Sequence, residues 1–296
     1  MFLKIEAYDN GKPIIYGLNN MRAPYGVTMT AEDIQMDIEG HKSIPEGSFV
    51  VGVGNKVRFL PRARVGTAVS TSAASVVLSS PGQTFLVNDV IHFIGGFAEI
   101  TFGGAVASAD TVGIKIGDAV YTVTSAGTSL ATLAADFVTA NAAALATAGV
   151  TVTQKGSSAT LVFMSTESLP VSYYASNGAT SVTVATTEPG YLGDHILPLG
   201  TVLAIGPVLQ NGTRTLTLAA NAAYDVPVGC SVGVMVDKYL GIYPDPLDFT
   251  RTPREHIAPI VEADGVYEQN LPYVDEQLKR RFDDLRINKR FYKKVA

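Results

Sequence analysis

The sequence predicts a mainly β protein with a small α+β inserted module, built as a β-rich body (barrel or sandwich-like) with extended terminal arms. Short runs rich in Val, Thr and Ile alternate with polar residues and end at Gly, Pro or Asn, the pattern of half-buried strands. Only 17% of the 296 residues are charged, against a typical value of about 25%. This length predicts about two domains of roughly 150 residues each.

Residues 69–98 and 188–250 are predicted to be the two halves of one β-body. Each half contains an alternating strand, then an aromatic residue two positions before a valine, then a turn and a further strand. The first half carries this pattern at Ser75–Ser79 and Phe85–Val87, the second at Arg214–Ala219 and Tyr224–Val226. Alternation of this kind is what a strand with one buried face requires.

Residues 99–187 are predicted to form the inserted α+β module. Its pattern predicts a hairpin around Gly117 and Asp118, one helix over residues 128–148, and a second hairpin over residues 150–163. Chains accept such insertions when the ends of the inserted unit lie close together. The module contains no His and no Cys, which favours a binding or structural role over catalysis.

The two ends of the chain form separate parts of the prediction. Residues 1–68 are assigned to the N-terminal arm and the start of the body, and residues 251–296 to a C-terminal arm and tail. Residues 279–296 hold eight basic residues and two aspartates, a formal charge of +6, which leaves −11 for the rest of a chain whose total is −5.

Such an asymmetry of charge predicts a tail that docks on an acidic surface, either of a neighbouring copy or of another protein. A solvated helix end is the alternative interpretation. The candidate partner-binding residues are the basic side chains of this tail: Lys279, Arg280, Arg281, Arg286, Lys289, Arg290, Lys293 and Lys294.

No motif indicates catalysis, a cofactor or a metal, so the chain is predicted not to be an enzyme. Gly229–Gly233 matches G-x-S-x-G, but the next residues continue as a strand, whereas a nucleophile elbow needs a strand–turn–helix junction. The four histidines have no metal-binding spacing. Cys230, the single cysteine, is predicted to be a small buried hydrophobe. A hydrolase using Ser231 or a histidine remains the alternative from the enzyme class.

Membrane and nucleic-acid roles are not favoured. The first residues lack a basic segment followed by a long apolar run, so no signal peptide is expected. No window of 18 apolar residues is free of charge, so no membrane span is predicted. The net charge of −5 argues against nucleic acid as a partner of the whole chain. Aromatic residues among the tail basics keep nucleic-acid binding open as an alternative for the tail.

Two regions resemble virion proteins of tailed bacteriophages. The runs Ile100–Gly104, Asp110–Val112 and Tyr121–Val123 resemble a small module that recurs in phage tail and head structural proteins. The stretch Leu271–Asp275, with Gln277-Leu278-Lys279 after it, resembles the ending of phage head decoration (cement) proteins.

The resemblance implies a structural virion protein that decorates and stabilises the phage capsid by binding the major capsid protein. It further implies a homotrimer on the outer surface of the capsid, made in the host cytoplasm. Residues 1–40 and 251–296 would then be the gripping arms, and the module would project outwards. Because the module also occurs in tail proteins, a tail-tube, sheath or head–tail adaptor component is the alternative.

Overall fold

The structure is a computed structural model that describes residues 15–16, 21–22, 26–79, 84–127, 129–166, 169–176, 182–186, 191–250, 252–262, 265–266, 271–275 and 278. Its one α-helix within these ranges is α1, Leu130–Thr147, and a short 3₁₀ turn spans Ala31–Asp33. The strands are β1 Ile15–Tyr16, β2 Met21–Arg22, β3 Val27–Thr30, β4 Ser43–Ile44, β5 Ser48–Val53, β6 Lys56–Phe59, β7 Arg62–Arg64, β8 Ser75–Leu78, β9 Val90–Gly104, β10 Thr111–Ile116, β11 Ala119–Thr124, β12 Val150–Gln154, β13 Thr160–Ser165, β14 Leu169–Ser176, β15 Val182–Thr186, β16 Tyr191–Val208, β17 Arg214–Leu218, β18 Ser231–Val234, β19 Lys238–Tyr243, β20 Leu247–Asp248, β21 Arg254–Ile257, β22 Ile260–Glu262 and β23 Gly265–Val266. The predicted β-rich class with a small α+β part is confirmed.

Strands from the part of the chain before the module pair with strands from the part after it. Antiparallel partners proceed from β1 with β23, through β3 with β21 and β5 with β19, to β7 with β18 and β9 with β16. The series ends where β9 pairs with β15, Gly104 lying opposite Val182. The chain is therefore one nested hairpin, and the residues between β9 and β15 form its turn end.

The middle of this hairpin closes almost completely into a six-stranded antiparallel barrel, in the order β7-β18-β9-β16-β17-β8. Strand β8 returns to the end of β7, where Gly66 N donates to Val77 O at 2.7 Å and Ser79 N donates to Arg64 O at 2.9 Å. Three strands come from each side of the module. The strands expected near residues 75–79 and 214–219 are confirmed as β8 and β17.

Inward-facing side chains of all six strands fill the barrel. They are mostly aliphatic, with two buried phenylalanines from β9, Phe93 and Phe97. Cys230 belongs to the same core and is fully buried, which confirms its prediction as a small hydrophobe. Burial also raises the pKa of the Cys230 thiol to about 12, so the thiol is protonated at neutral pH.

The module packs one helix and two groups of strands around a second core. Strands β12, β13 and β15 extend the far part of β9, while β14, β10 and β11 form the other group. The two predicted hairpins are confirmed as β10–β11 and β12–β13, and the predicted helix as α1. Successive side chains of β13 point to opposite cores: Val162 and Met164 to the barrel, Leu161 and Phe163 to the module. Strand β13 thus forms part of the wall between the two cores.

Described residues before β7 and after β18 form a terminal layer around the sheet β2-β22-β19-β5-β6. Strand β5 is buried on both faces, because Phe49 and Val51 join one small core and Val50 joins another. Residues 26–40 and 252–262, which the sequence assigned to terminal arms, lie in this layer with β3 paired to β21. The layer therefore brings the two ends of the described chain together.

Candidate docking interface

The outer face of β7 and β18 carries polar side chains because strand alternation points their neighbours into the barrel. Ala63, Val65, Val232 and Val234 face the barrel core, so Arg62, Arg64, Ser231 and Gly233 face outwards. A Cβ on Gly233 would lie 2.9 Å from Pro61 O and 3.1 Å from Cγ of Arg62. Gly233 therefore provides the space in which the side chain of Arg62 lies across β18.

The segment Leu271–Asp275 covers this outer face through a buried ion pair. Nη1 of Arg62 lies 3.0 and 3.2 Å from the two carboxylate oxygens of Asp275. Only 2% of the Arg62 side chain and 8% of the Asp275 side chain are exposed. Burial opposes the charge on Arg62, but Asp275, Tyr239 and Tyr273 together outweigh it and raise the pKa of the guanidinium. Arg62 is therefore charged at neutral pH.

Tyr273 adds a second attachment between the segment and the barrel. Its hydroxyl lies 2.7 Å from Oγ of Ser231 and 3.2 Å from Oδ2 of Asp275. The guanidinium of Arg64 stands 5.7 Å from the centre of the Tyr273 ring, a cation–π contact. Arg64 also donates to the carbonyl of Val274 at 3.0 Å. Burial raises the pKa of Tyr273, which keeps the phenol neutral.

Asp275 also connects the barrel to the residue that precedes the basic tail. Its Oδ1 accepts a hydrogen bond from the backbone N–H of Leu278 at 2.7 Å. Leu278 is fully buried, and with Leu271 it packs against Phe49 and the neighbouring strand residues of the terminal layer. The described chain thus ends on a buried anchor, one position before Lys279.

The eight basic residues predicted to bind a partner, Lys279 to Lys294, lie outside the described residues. Ser231 lies at the start of β18, is buried, and contacts Tyr273. No strand–turn–helix junction follows it, since Val232–Val234 continue the strand. The structure therefore brings Ser231 into the docking interface and gives it none of the surroundings of an elbow nucleophile.

Arg62 and Arg64, the residues that make this interface, were not predicted from the sequence. The available signal was the alternation Arg62-Ala63-Arg64 in a short strand, which places both guanidinium groups on one face. Recognising their partner was beyond sequence reasoning, because Asp275 follows Arg62 by 213 positions.

Two further features bear on the function. Within the described residues, no group of three or more His, Cys, Asp and Glu side chains is arranged to hold a metal ion. Helix α1 alone among the described helices is long and apolar enough to cross a membrane by length and composition, and its Leu133, Phe137 and Leu145 are buried in the module core.

Comparison with protein-family models and with curated proteins finds no match for this chain.

Proposed function

We propose that this chain is a structural virion protein that decorates and stabilises a phage capsid by binding the major capsid protein as a homotrimer. The observation that supports it best is the anchored end of the described chain. Asp275 fixes the C-terminal segment to the barrel, Leu278 fixes it to the terminal layer, and the strongly basic tail continues from that point. A rigid body with a charged extension is what a protein that clamps its neighbours requires.

The charge distribution identifies the kind of surface that the tail would bind. The tail has a formal charge of +6, and the rest of the chain has −11. Opposite charges across an interface speed up association and exclude partners of the wrong sign. The acceptor is therefore an acidic protein surface, either on the capsid subunit or on a neighbouring copy of this chain.

The body supports the same role. The barrel is almost closed, because β7 and β8 are joined by backbone bonds where they meet, so little strand edge is left for uncontrolled strand addition. The nested hairpin places β1 next to β23, so the two ends of the described chain lie on one layer of the molecule. The module occupies the turn end of the hairpin, topologically farthest from those ends. This arrangement suits a protein that grips through its termini and projects its module.

The experiment is cosedimentation with empty heads of the parent virus, with the mass in solution measured by light scattering. The full chain is compared with a chain that ends at Leu278 and with a variant in which the eight tail basics are replaced by Gln. A matched control replaces Lys115 and Lys155 of the module by Gln. We expect a trimer that pellets with heads, loss of binding in both tail variants, and unchanged binding in the control.

Other outcomes would contradict the proposal in recognisable ways. A monomer that ignores heads would remove the capsid role. A hexameric ring or an open polymer would favour the tail-tube, sheath or adaptor alternative. A chain ending at Leu278 that still pellets as well as the full chain would show that the basic tail is not the contact.

A further inference from the structure

We propose that Asp275 and Arg62 form a latch that fixes where the basic tail leaves the body, so that these two residues are positioning residues for partner binding. This inference rests on the proposed function, since it concerns the same acidic partner surface. The tail charges alone would attract such a surface; the latch would determine the direction from which they approach it.

The latch consists of the several contacts that the carboxylate of Asp275 makes at once. Asp275 accepts from Arg62 on the barrel, lies within hydrogen-bonding distance of the Tyr273 hydroxyl, and accepts from Leu278 N directly before the tail. A single side chain therefore joins the barrel, the docked segment and the start of the tail. Charge-assisted bonds of this kind are about twice as strong as neutral ones and are directional.

The latch lies outside the barrel core. None of the described residues of this segment, 271–275 and 278, contributes to the cluster that fills the barrel, whose members come from residues 63–234. Leu271 and Leu278 contribute instead to the small cluster beside β5 and β19. Opening the latch should therefore leave the barrel and the module folded and change only the attachment of the C-terminal segment.

A fixed origin matters for affinity because binding costs orientational and conformational freedom. With the latch closed, the tail is tethered directly after Leu278, which is fully buried. With the latch open, the tether would lengthen to include the docked segment, and the effective concentration of the tail charges at the partner would fall. The number of charges would stay the same.

Two variants release the start of the tail from its fixed position in different ways. Asp275→Asn keeps an oxygen that can accept from Leu278 N but removes the charge that faces Arg62. Insertion of eight Gly and Ser residues between Leu278 and Lys279 leaves the latch and every charge in place but detaches the tail from it. The insertion variant keeps the proposal falsifiable if Asp275→Asn fails to fold. The control is an insertion of the same length in the exposed turn at Gly156.

Head binding is measured at several salt concentrations, and trypsin cleavage at Lys279–Arg281 is followed without heads. We expect head affinity to fall about tenfold in both variants, because less of the tail is pre-positioned. The salt dependence should match that of the full chain, because all eight charges remain. Trypsin should cleave the tail faster in Asp275→Asn, whereas the control insertion should bind heads like the unmodified chain.

The outcomes separate this inference from the proposed function. If the chain ending at Leu278 binds heads as well as the full chain, the proposed tail contact itself is wrong. If that truncation abolishes binding while the insertion variant binds like the unmodified chain, the tail contact stands and the latch is overturned. A loss of affinity accompanied by a weaker salt dependence would also overturn it, because charge contacts would then have been lost.

Discussion

The barrel and the module close a β-sheet in two different ways. In the barrel, backbone bonds from Gly66 and Ser79 join the last strand to the first. In the module, the strand path opens between β11 and β12, and α1 bridges the two ends with side-chain amides. Nδ2 of Asn141 donates to the carbonyl of Thr122 on β11 at 3.0 Å. Nε2 of Gln154 on β12 donates to the carbonyl of Ala131 in the helix at 2.9 Å.

The two kinds of closure make the barrel and the module sensitive to different substitutions. Backbone closure survives most side-chain substitutions, because every residue except proline supplies the same donor and acceptor. Closure through a helix depends on the apolar face of that helix and on a few amides whose loss leaves buried groups unpaired. We therefore expect single substitutions to open the module more readily than the barrel.

The largest effect is expected from removing an aromatic side chain from the module core. Phe137 on α1 is fully buried and meets Phe163 edge-on, with ring centres 6.2 Å apart. Phe137→Ala should cost about 3–5 kcal/mol, because it removes apolar contact and leaves a cavity. The expected result in urea unfolding is a separate early transition of the module, followed by the barrel at its original midpoint.

The matched control for this prediction is Phe93→Ala in the barrel core, where Phe93 is likewise fully buried. It should lower the midpoint of the barrel and, because β9 runs through both cores, that of the module as well. If Phe137→Ala lowers both units together, the module and the barrel are one cooperative unit and the comparison above fails.

A smaller effect is expected from Asn141, whose amide ties α1 to β11. The residue is 8% exposed and donates to two carbonyls, those of Thr122 and Phe137. Asn141→Leu should destabilise the module by about 1–3 kcal/mol, because the Thr122 carbonyl loses its partner at the bridged edge. Hydrogen exchange of the β11 amides measures it. Thr139→Ala on the exposed side of the same helix is the control and should leave that exchange unchanged.

Much of the module could be predicted from sequence, because its signals are local. Gly117 takes a left-handed φ of 60° in the predicted turn, and the predicted helix is observed as Leu130–Thr147. The barrel's closure could not be predicted, because β7 is only three residues long and pairs with β18 far along the chain. The docking interface was missed for the same reason: Arg62 acquires its meaning only when β18 and Asp275 lie beside it.

A smaller loss of module stability is expected when the N-terminal cap of α1 is removed. Oγ of Ser129 accepts from the backbone N–H of Thr132 at 3.0 Å, a bond that satisfies one of the free donors of the first turn. Ser129→Ala should cost about 1 kcal/mol of module stability. Urea unfolding followed by circular dichroism at a helix-sensitive wavelength checks it. Ser129→Asp, in which the carboxylate can also cap the helix, should keep the stability of the unmodified chain. A loss in Ser129→Asp equal to that in Ser129→Ala would contradict the capping explanation.

The smallest effect is expected from pH and should originate in the barrel. Burial lowers the pKa of His92, on the outer face of β9, below its ordinary value of 6.5. The folded barrel therefore favours the neutral imidazole, and the unfolded chain binds the proton more readily. Stability should be highest above pH 6.5 and decline as the pH falls from 6.5 towards the lowered pKa. His92→Gln should flatten this decline in urea unfolding at pH 7.5 and 5.5. The module has no histidine between residues 99 and 187, so its own transition should fall only as far as β9 couples it to the barrel. A module that weakened more than the barrel would show that other groups carry the pH dependence.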